Sequence, residues 1–300
     1  MDVLQIVLRC VAAPAAVAAA VLVIAFWLAR RSGRSWLRDA GEVLALGLGY
    51  LAGHQATIGS PPMPLSLSME AMHWLGFVAV AAILVGLIEA FLPAPSWLRW
   101  LLRAGLVVLT VWLVANSLLD PQRDDRLSWP SLAAAILIAL AFWANLQSLA
   151  DRQAGRGVPL AIMVLAGSAC PIILMAGIIV VAELAAALWF CTFAVLVAAW
   201  LDRGTSLARG GVTVVASLLI GLVLNGLYYG DLPPATAILM ALAPAGLWLG
   251  RIGSLQRHPR WRATACSLAV LLPLVAALAI TVLASPSFEG QAAGAAGEVE

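Results

Sequence analysis

Residues 158–201 read VPLAIMVLAGSACPIILMAGIIVVAELAAALWFCTFAVLVAAWL. These forty-four residues contain a single charged side chain, Glu183. As one α-helix they would measure about 66 Å, because each residue adds about 1.5 Å, and that is twice the roughly 30 Å thickness of a bilayer core. The segment therefore predicts two membrane-spanning helices that fold back on each other, with the turn at Gly177 and Glu183 just beyond it.

Composition places the rest of the chain in the same class. Of its 300 residues, 63% are hydrophobic and 11% are charged, whereas soluble globular proteins have roughly 45–50% and about 25%. Apolar segments of about 20 residues, the length that crosses a bilayer, repeat along the chain. The sequence predicts an all-α, polytopic transmembrane helix bundle in one domain, residues 1–284, followed by a disordered Gly/Ala/Glu-rich tail, residues 285–300.

About ten spans are predicted, a number that allows a five-plus-five arrangement of two inverted repeats. In length and span count the chain is similar to the drug/metabolite transporter superfamily, which implies a permease; the termini of that superfamily face the cytoplasm. The predicted spans cover approximately residues 4–29, 41–58, 72–92, 101–119, 131–150, 158–177, 181–201, 211–229, 234–250 and 263–284.

Charge predicts how the spans are oriented. All 17 basic residues are arginines, and fourteen of them lie in every second gap, at residues 30–38, 99–103, 152–156, 203–209 and 251–262. Because positive charge beside a span stays in the cytoplasm, both termini are predicted to lie outside. The compact loops and the alanine-rich, lysine-free composition predict a bacterial inner membrane. The net charge of +2 is an orientation signal, so the bilayer is the expected partner and nucleic acid is not.

Several kinds of chemistry are excluded by residues that the chain lacks. Without lysine it has no Walker A loop and no Schiff-base amine. Neither a GxSxG nor an HExxH motif occurs, and the cysteines, Cys10, Cys170, Cys191 and Cys266, lie in predicted spans without metal-binding spacing. We therefore predict no catalytic residue and no cofactor, and a membrane-embedded enzyme is only the third choice of function.

A histidine-containing cluster is predicted at the outer ends of two neighbouring spans. His54 lies at the end of span 2, while Glu70 and His73 begin span 3 one helical turn apart. Together they could ligate a divalent metal, or the two histidines could bracket a haem. Ordinary interfacial polar residues around a Pro-rich loop are the simpler interpretation, so no metal site is assigned.

An acidic motif follows the fourth span. Asn116, Asp120 and Asp124 are spaced by four residues and resemble the first magnesium-diphosphate motif of the UbiA prenyltransferases, which implies a cytoplasmic diphosphate site. Pro121 would break the helix that aligns the two carboxylates, and this loop is predicted outside. We therefore interpret it as a solvated acidic loop.

One face of span 2 is formed by small residues. Ala45, Gly49 and Gly53 recur every four residues, so they align on one side of a helix and allow another helix to approach closely. Glu42 lies on the same face. A helix-packing seam is the first interpretation, and a seam that also lines a pathway is the second.

Proline and glycine predict interrupted helices in the later spans. The predicted interruptions are Gly167, Ser168 and Pro171 in the middle of span 6, Pro244 with Gly246 in span 9, and Pro273 in span 10. Transporters use such interruptions to build substrate sites at mid-membrane, although proline kinks are common in membrane helices. The candidate pathway residues are Glu42, Ser168, Pro171 and Asn225.

The middle of the predicted membrane region lacks charge. Glu42 and Glu89 lie near the cytoplasmic ends of their spans, where Arg99 or Arg103 could neutralise Glu89. A permease for a small neutral or lipid-like solute is therefore the favoured function, and it predicts a polar, water-accessible cavity near the interrupted helices. The alternative is a non-catalytic membrane subunit or assembly scaffold, with a protein partner or a second copy, and it predicts solidly packed helices.

Overall fold

The computed structural model describes residues 8–59, 70–92, 95–119, 127–152, 156–202, 204–205, 207–251 and 259–284. All regular secondary structure in this part of the chain is helical, which confirms the all-α prediction. The tail predicted at residues 285–300 lies outside the described residues.

Within these residues, ten α-helices follow one another through short connections. A π-helical turn, Leu8–Ala12, precedes the first helix, and a 3-10 turn, Asn116–Leu118, follows the fourth. The α-helices are α1, Ala13–Ser32; α2, Trp36–Thr57; α3, Ala71–Phe91; α4, Ser96–Ala115; α5, Trp129–Arg152; α6, Gly157–Met175; α7, Ile179–Leu201; α8, Gly211–Tyr229; α9, Pro234–Leu242; and α10, Pro259–Ala284.

Length and composition make eight of the described helices able to cross a membrane. The chain is therefore a multi-pass membrane protein, as its hydropathy predicted. The two remaining helices are α2, whose first turns carry Arg38, Asp39 and Glu42, and α9, which has only nine residues. The predicted fold-back of residues 158–201 lies between α6 and α7, where Gly177 adopts a φ of 86°.

The short helix α9 continues as an unusually long 3-10 segment, Ala243–Arg251. Nine α-helical residues at about 1.5 Å each and nine 3-10 residues at about 2.0 Å each reach about 31 Å, which matches the thickness of a bilayer core. Pro244 lies at the start of the 3-10 segment and has no backbone N–H to continue the α-helix. The interruption predicted in span 9 is therefore present.

The interruptions predicted at Ser168 and Pro171 and at Pro273 are absent from the structure. Helix α6 runs unbroken from Gly157 to Met175, and α10 runs unbroken through Pro273. In α6, Pro171 has no N–H to donate to the carbonyl of Gly167, four residues earlier, and Gly167 packs closely on the indole of Trp189 in α7. Packing by a neighbouring helix holds the backbone helical despite the lost hydrogen bond.

Helix α8 forms the centre of the bundle. Fifteen of its nineteen residues are buried, and it packs against every helix from α2 to α7. Helices α1 and α10 lie at the periphery: α1 packs on α2 and α7, while α10 packs on α6 and α9. Their outward faces are apolar, with Ile24 58% and Leu272 64% exposed, which suits contact with lipid.

Described arginines from three of the predicted arginine-rich gaps, at residues 30–38, 152–156 and 203–209, lie at one end of the bundle. Arg38 forms an ion pair with Asp202 at 3.1 Å, and Arg209 forms one with Asp39 at 3.7 Å, so α2 is joined to the α7–α8 connection. At the same level Arg156 lies over the indole of Trp200. We call this the arginine end, and the other the opposite end; the arginine end is the one predicted to face the cytoplasm.

Candidate functional site

The main candidate site is a cavity of about 490 Å³ between α5, α8 and α9. This volume lies in the range of roughly 300–1,000 Å³ that is usual for small-molecule sites. The cavity begins at the opposite end of the bundle, beside Leu127 and Pro234, and its floor is formed by Phe142, Leu165 and Leu219. Leu165 and Leu219 lie near the centres of α6 and α8. The cavity therefore extends from the opposite end to the middle of the bundle.

The lining of this apolar cavity is almost entirely hydrocarbon. Among the described residues that line it, none carries a charge, and Ser131 and Tyr228 are the two with a polar side chain. Both lie at the opposite end, where α5 begins and α8 ends. The Ser131 hydroxyl is 2.7 Å from that of Ser128. The cavity can therefore hold an apolar group at depth and meet a hydrogen-bonding group only at its mouth.

The cavity differs from the one that the permease hypothesis predicted. That prediction placed a polar cavity beside Ser168 and Pro171, whereas the observed cavity is apolar and neither residue lines it. The Ser168 hydroxyl instead donates to the Leu165 carbonyl of its own helix at 2.9 Å. Ala134, Ala135 and Ala139 of α5 also line the cavity, and they were not predicted from the sequence.

A second, more polar space of about 390 Å³ lies at the opposite end, between the ends of α3, α4, α7 and α8. Glu70, Ser117, Asn225 and Tyr229 contribute its polar groups. The hydroxyls of Ser117 and Tyr229 are 2.6 Å apart, and the Tyr229 hydroxyl donates to the Val114 carbonyl at 2.7 Å. The amide of Asn225 donates to a carbonyl of its own helix. This polar vestibule includes one predicted pathway residue, Asn225.

The predicted pathway residues do not share one site. Asn225 lies in the polar vestibule, and Ser168 and Pro171 belong to the continuous helix α6. Glu42 lies at the arginine end, where its carboxylate accepts the Leu207 backbone N–H at 2.9 Å. The four residues are therefore distributed along the bundle.

The residues considered for a metal are not gathered into a metal-binding group. A ring nitrogen of His54 is 3.2 Å from the Met72 carbonyl, while Glu70 lines the polar vestibule. Within the described residues, which include His54, Glu70 and His73, no three His, Cys, Asp or Glu side chains are placed to hold a metal ion. Asp120 and Asp124, which carry the diphosphate-motif resemblance, lie outside the described residues.

The small-residue face of α2 packs against two helices. A side chain added at Gly49 would meet Cys191 of α7 and Ala18 of α1, and one added at Gly53 would meet Ala187 of α7. Ala45 on the same face is fully buried. These positions bring α1, α2 and α7 close together, and they lie away from both the apolar cavity and the polar vestibule.

A buried charged cluster closes the bundle near its arginine end. Arg103 of α4 donates through its Nε to Glu89 of α3 at 2.6 Å, and the Thr213 hydroxyl of α8 donates to the other oxygen of the same carboxylate, also at 2.6 Å. The Arg103 and Glu89 side chains are 5% and 1% exposed. The sequence predicted Arg99 or Arg103 as the partner of Glu89, and the structure shows Arg103; Thr213 was not predicted. We call Glu89, Arg103 and Thr213 the buried triad.

The α7–α8 connection completes this closure. Leu207 adopts a φ of 59°, a conformation that L side chains rarely take, and its side chain is buried. Its N–H is held by Glu42, and the neighbouring Ala208 carbonyl accepts the Gln147 side chain at 2.8 Å. Beside it, burial raises the pKa of the Asp39 carboxyl, and Arg209 and Arg38 counteract that rise. The connection is therefore fixed to α2 and α5.

The arrangement combines an apolar cavity that begins at the opposite end with a layer of hydrogen bonds and ion pairs at the arginine end. It offers no nucleophile–base pair in the cavity lining among the described residues. No protein-family model, no curated protein and no solved structure matches this chain.

Proposed function

We propose that the chain is a permease-like protein of a bacterial inner membrane that carries a small neutral or lipid-like solute through the apolar cavity. The observation that carries this proposal is the extent of the cavity, which reaches from the opposite end to Phe142, Leu165 and Leu219 in the middle of the bundle. The buried triad and the α7–α8 connection close the arginine end. A cavity open on one side and closed on the other is one of the two states that alternating access requires.

The lining favours an uncharged solute. Moving an ion into a site without compensating charges or hydrogen bonds costs many kcal/mol, and the described lining residues offer two hydroxyls alone. A solute already dissolved in lipid gains little from apolar contact by itself, because lipid tails are as apolar as leucine. The protein would therefore select among neutral solutes by the shape of the cavity and by the hydroxyls at its mouth.

Filling the cavity tests its role in binding. Ala135 of α5 lines the cavity, whereas Ala133, on the same helix, does not and is exposed. We expect Ala135→Trp to weaken binding of the neutral dye N-phenyl-1-naphthylamine to the purified protein at least about tenfold, equivalent to 1.4 kcal/mol. Ala133→Trp is the matched control and should leave the dissociation constant unchanged. Fluorescence titration measures both.

The scaffold interpretation predicts other results. If the dye does not bind the wild-type protein, or if both tryptophan variants bind it as the wild type does, the cavity is not a solute site. The exposed helix faces would then be better interpreted as binding surfaces for a protein partner or for a second copy of the chain.

The proposed location has its own test. In a cysteine-free background, Arg34→Cys places a thiol at the arginine end and Asp231→Cys places one at the opposite end, both at exposed positions. With intact cells, a membrane-impermeant maleimide should label position 231 at once and position 34 only after permeabilisation, since arginine-rich gaps stay in the cytoplasm. Labelling of position 34 from outside would reverse the orientation.

A further inference from the structure

We infer that the ligand of the apolar cavity is a neutral single-chain amphiphile, a long-chain alcohol or ester, whose chain fills the cavity and whose head meets Tyr228 at the mouth. This inference rests on the proposed function of the same cavity and adds the class of solute to it. Three independent features carry it: the depth of the cavity, the exposed apolar side chains in its lining and the position of its polar groups.

The depth of the cavity matches one leaflet of a bilayer. Leu219 at the floor and Tyr228 at the mouth lie nine residues apart on α8, which is about 13 Å along a helix. Half of a bilayer core is about 15 Å. A chain in the cavity would therefore lie alongside the chains of the adjacent leaflet, at the same depth and in the same direction.

In this proposal the chain enters from the side, between α5 and α9. Ile138 of α5 and Ile238 of α9 both line the cavity, and they are 42% and 44% exposed. Helix α5 is one of the eight described helices able to cross a membrane, and α9 with the 3-10 segment after it has a similar reach. In a bilayer these two isoleucines would give the entrance an apolar edge, so that a hydrocarbon chain could enter without crossing water.

The polar groups of the lining occur only where a head group would lie. The hydroxyl of Tyr228 makes no hydrogen bond to another described residue, whereas that of its neighbour Tyr229 donates to Val114. The Tyr228 side chain is half-buried and lines the cavity, so its hydroxyl can meet a polar group at the mouth. With Ser131 on the facing helix, Tyr228 can donate to or accept from a hydroxyl or ester, and the described lining offers no charge to bind an ionised head.

Photo-crosslinking tests the depth and direction of the chain. Two long-chain alcohols, one with a diazirine at the end of the chain and one with it beside the hydroxyl, are irradiated with the full-length protein in lipid nanodiscs, and the labelled peptides are mapped by mass spectrometry. The chain-end probe should label the floor, around Phe142, Leu165 and Leu219, and the other should label the mouth, around Tyr228 and Pro234. The reverse pattern, or equal labelling of the lipid-facing side of α1, overturns the inference.

A binding measurement tests the head group. We expect Tyr228→Phe to weaken displacement of the naphthylamine dye by the unlabelled alcohol about 2- to 10-fold, the range that one hydrogen bond provides, while binding of the dye itself stays unchanged. If the dye binds and Ala135→Trp blocks it but the alcohol does not displace it, the proposed function survives and this inference fails. If neither compound binds the wild-type protein, both fail.

Discussion

Replacing Arg103 with alanine is expected to lower the free energy of unfolding by about 3–5 kcal/mol, because it leaves a buried carboxylate without its counter-charge. Glu89 is 1% exposed at its side chain, and its two oxygens are bonded to Arg103 and Thr213. The Thr213 hydroxyl alone cannot compensate a charge. Titration with sodium dodecyl sulfate in mixed micelles, followed by circular dichroism, measures the change.

Two variants separate the loss of charge from the loss of side-chain volume. Arg34 is exposed near the arginine end, and Arg34→Ala should change the unfolding free energy by less than about 0.5 kcal/mol. The double variant Arg103→Met with Glu89→Leu removes both charges and should recover most of the stability. If Arg103→Ala were as stable as Arg34→Ala, the buried triad would not hold α3, α4 and α8 together.

Gly210→Ala is expected to destabilise the protein by about 2–4 kcal/mol, since two costs add at this position. Gly210 adopts a φ of 88°, where an alanine is strained by about 1–2 kcal/mol. A Cβ there would also meet the carbonyl oxygen of Gly86 in α3, which is backbone and cannot move aside like a side chain.

Gly177→Ala is the control that separates backbone strain from the contact with the Gly86 carbonyl. Gly177 adopts nearly the same φ, 86°, but a Cβ at this position would have nothing within 4 Å. Gly177→Ala should therefore show only the backbone strain, about 1–2 kcal/mol, in the same detergent titration. Equal losses for the two variants would mean that the contact between Gly86 and Gly210 adds nothing to the closure of the arginine end.

The sequence was sufficient for features that depend on length, hydropathy and short-range spacing. Forty-four apolar residues with one charge require a fold-back, and the turn lies at Gly177. Glu89 and Arg103 are near enough in the chain for their pairing to be proposed. Thr213 is 124 residues from Glu89, and nothing local in the sequence indicates that α8 packs against both α3 and α4.

The apolar cavity could not be predicted, for a physical reason. In a soluble protein a helix shows which face is buried by the contrast between apolar and polar residues, but in a membrane the lipid-facing side and the core side are both apolar. The distance between α8 and α9 therefore decides which alanines of α5 face a cavity, and the sequence of α5 does not reveal that distance. An isolated polar residue does not identify a site either, because its hydroxyl can donate to a carbonyl of its own helix, as that of Ser168 does.

Oxygen accessibility at a spin label on position 139 shows whether the apolar cavity reaches the middle of the bundle. Ala139 lines the cavity but is only 6% exposed, whereas Ala79 is fully buried in packed core and Ala133 is at the surface. In lipid bilayers, a label at 139 should be nearly as accessible to oxygen as one at 133, and inaccessible to a polar nickel chelate. Addition of Ala237→Trp, but not of the exposed control Ala235→Trp, should remove that accessibility. A label at 139 as inaccessible to oxygen as one at 79 would mean that this part of the bundle is packed solid and that no cavity reaches its middle.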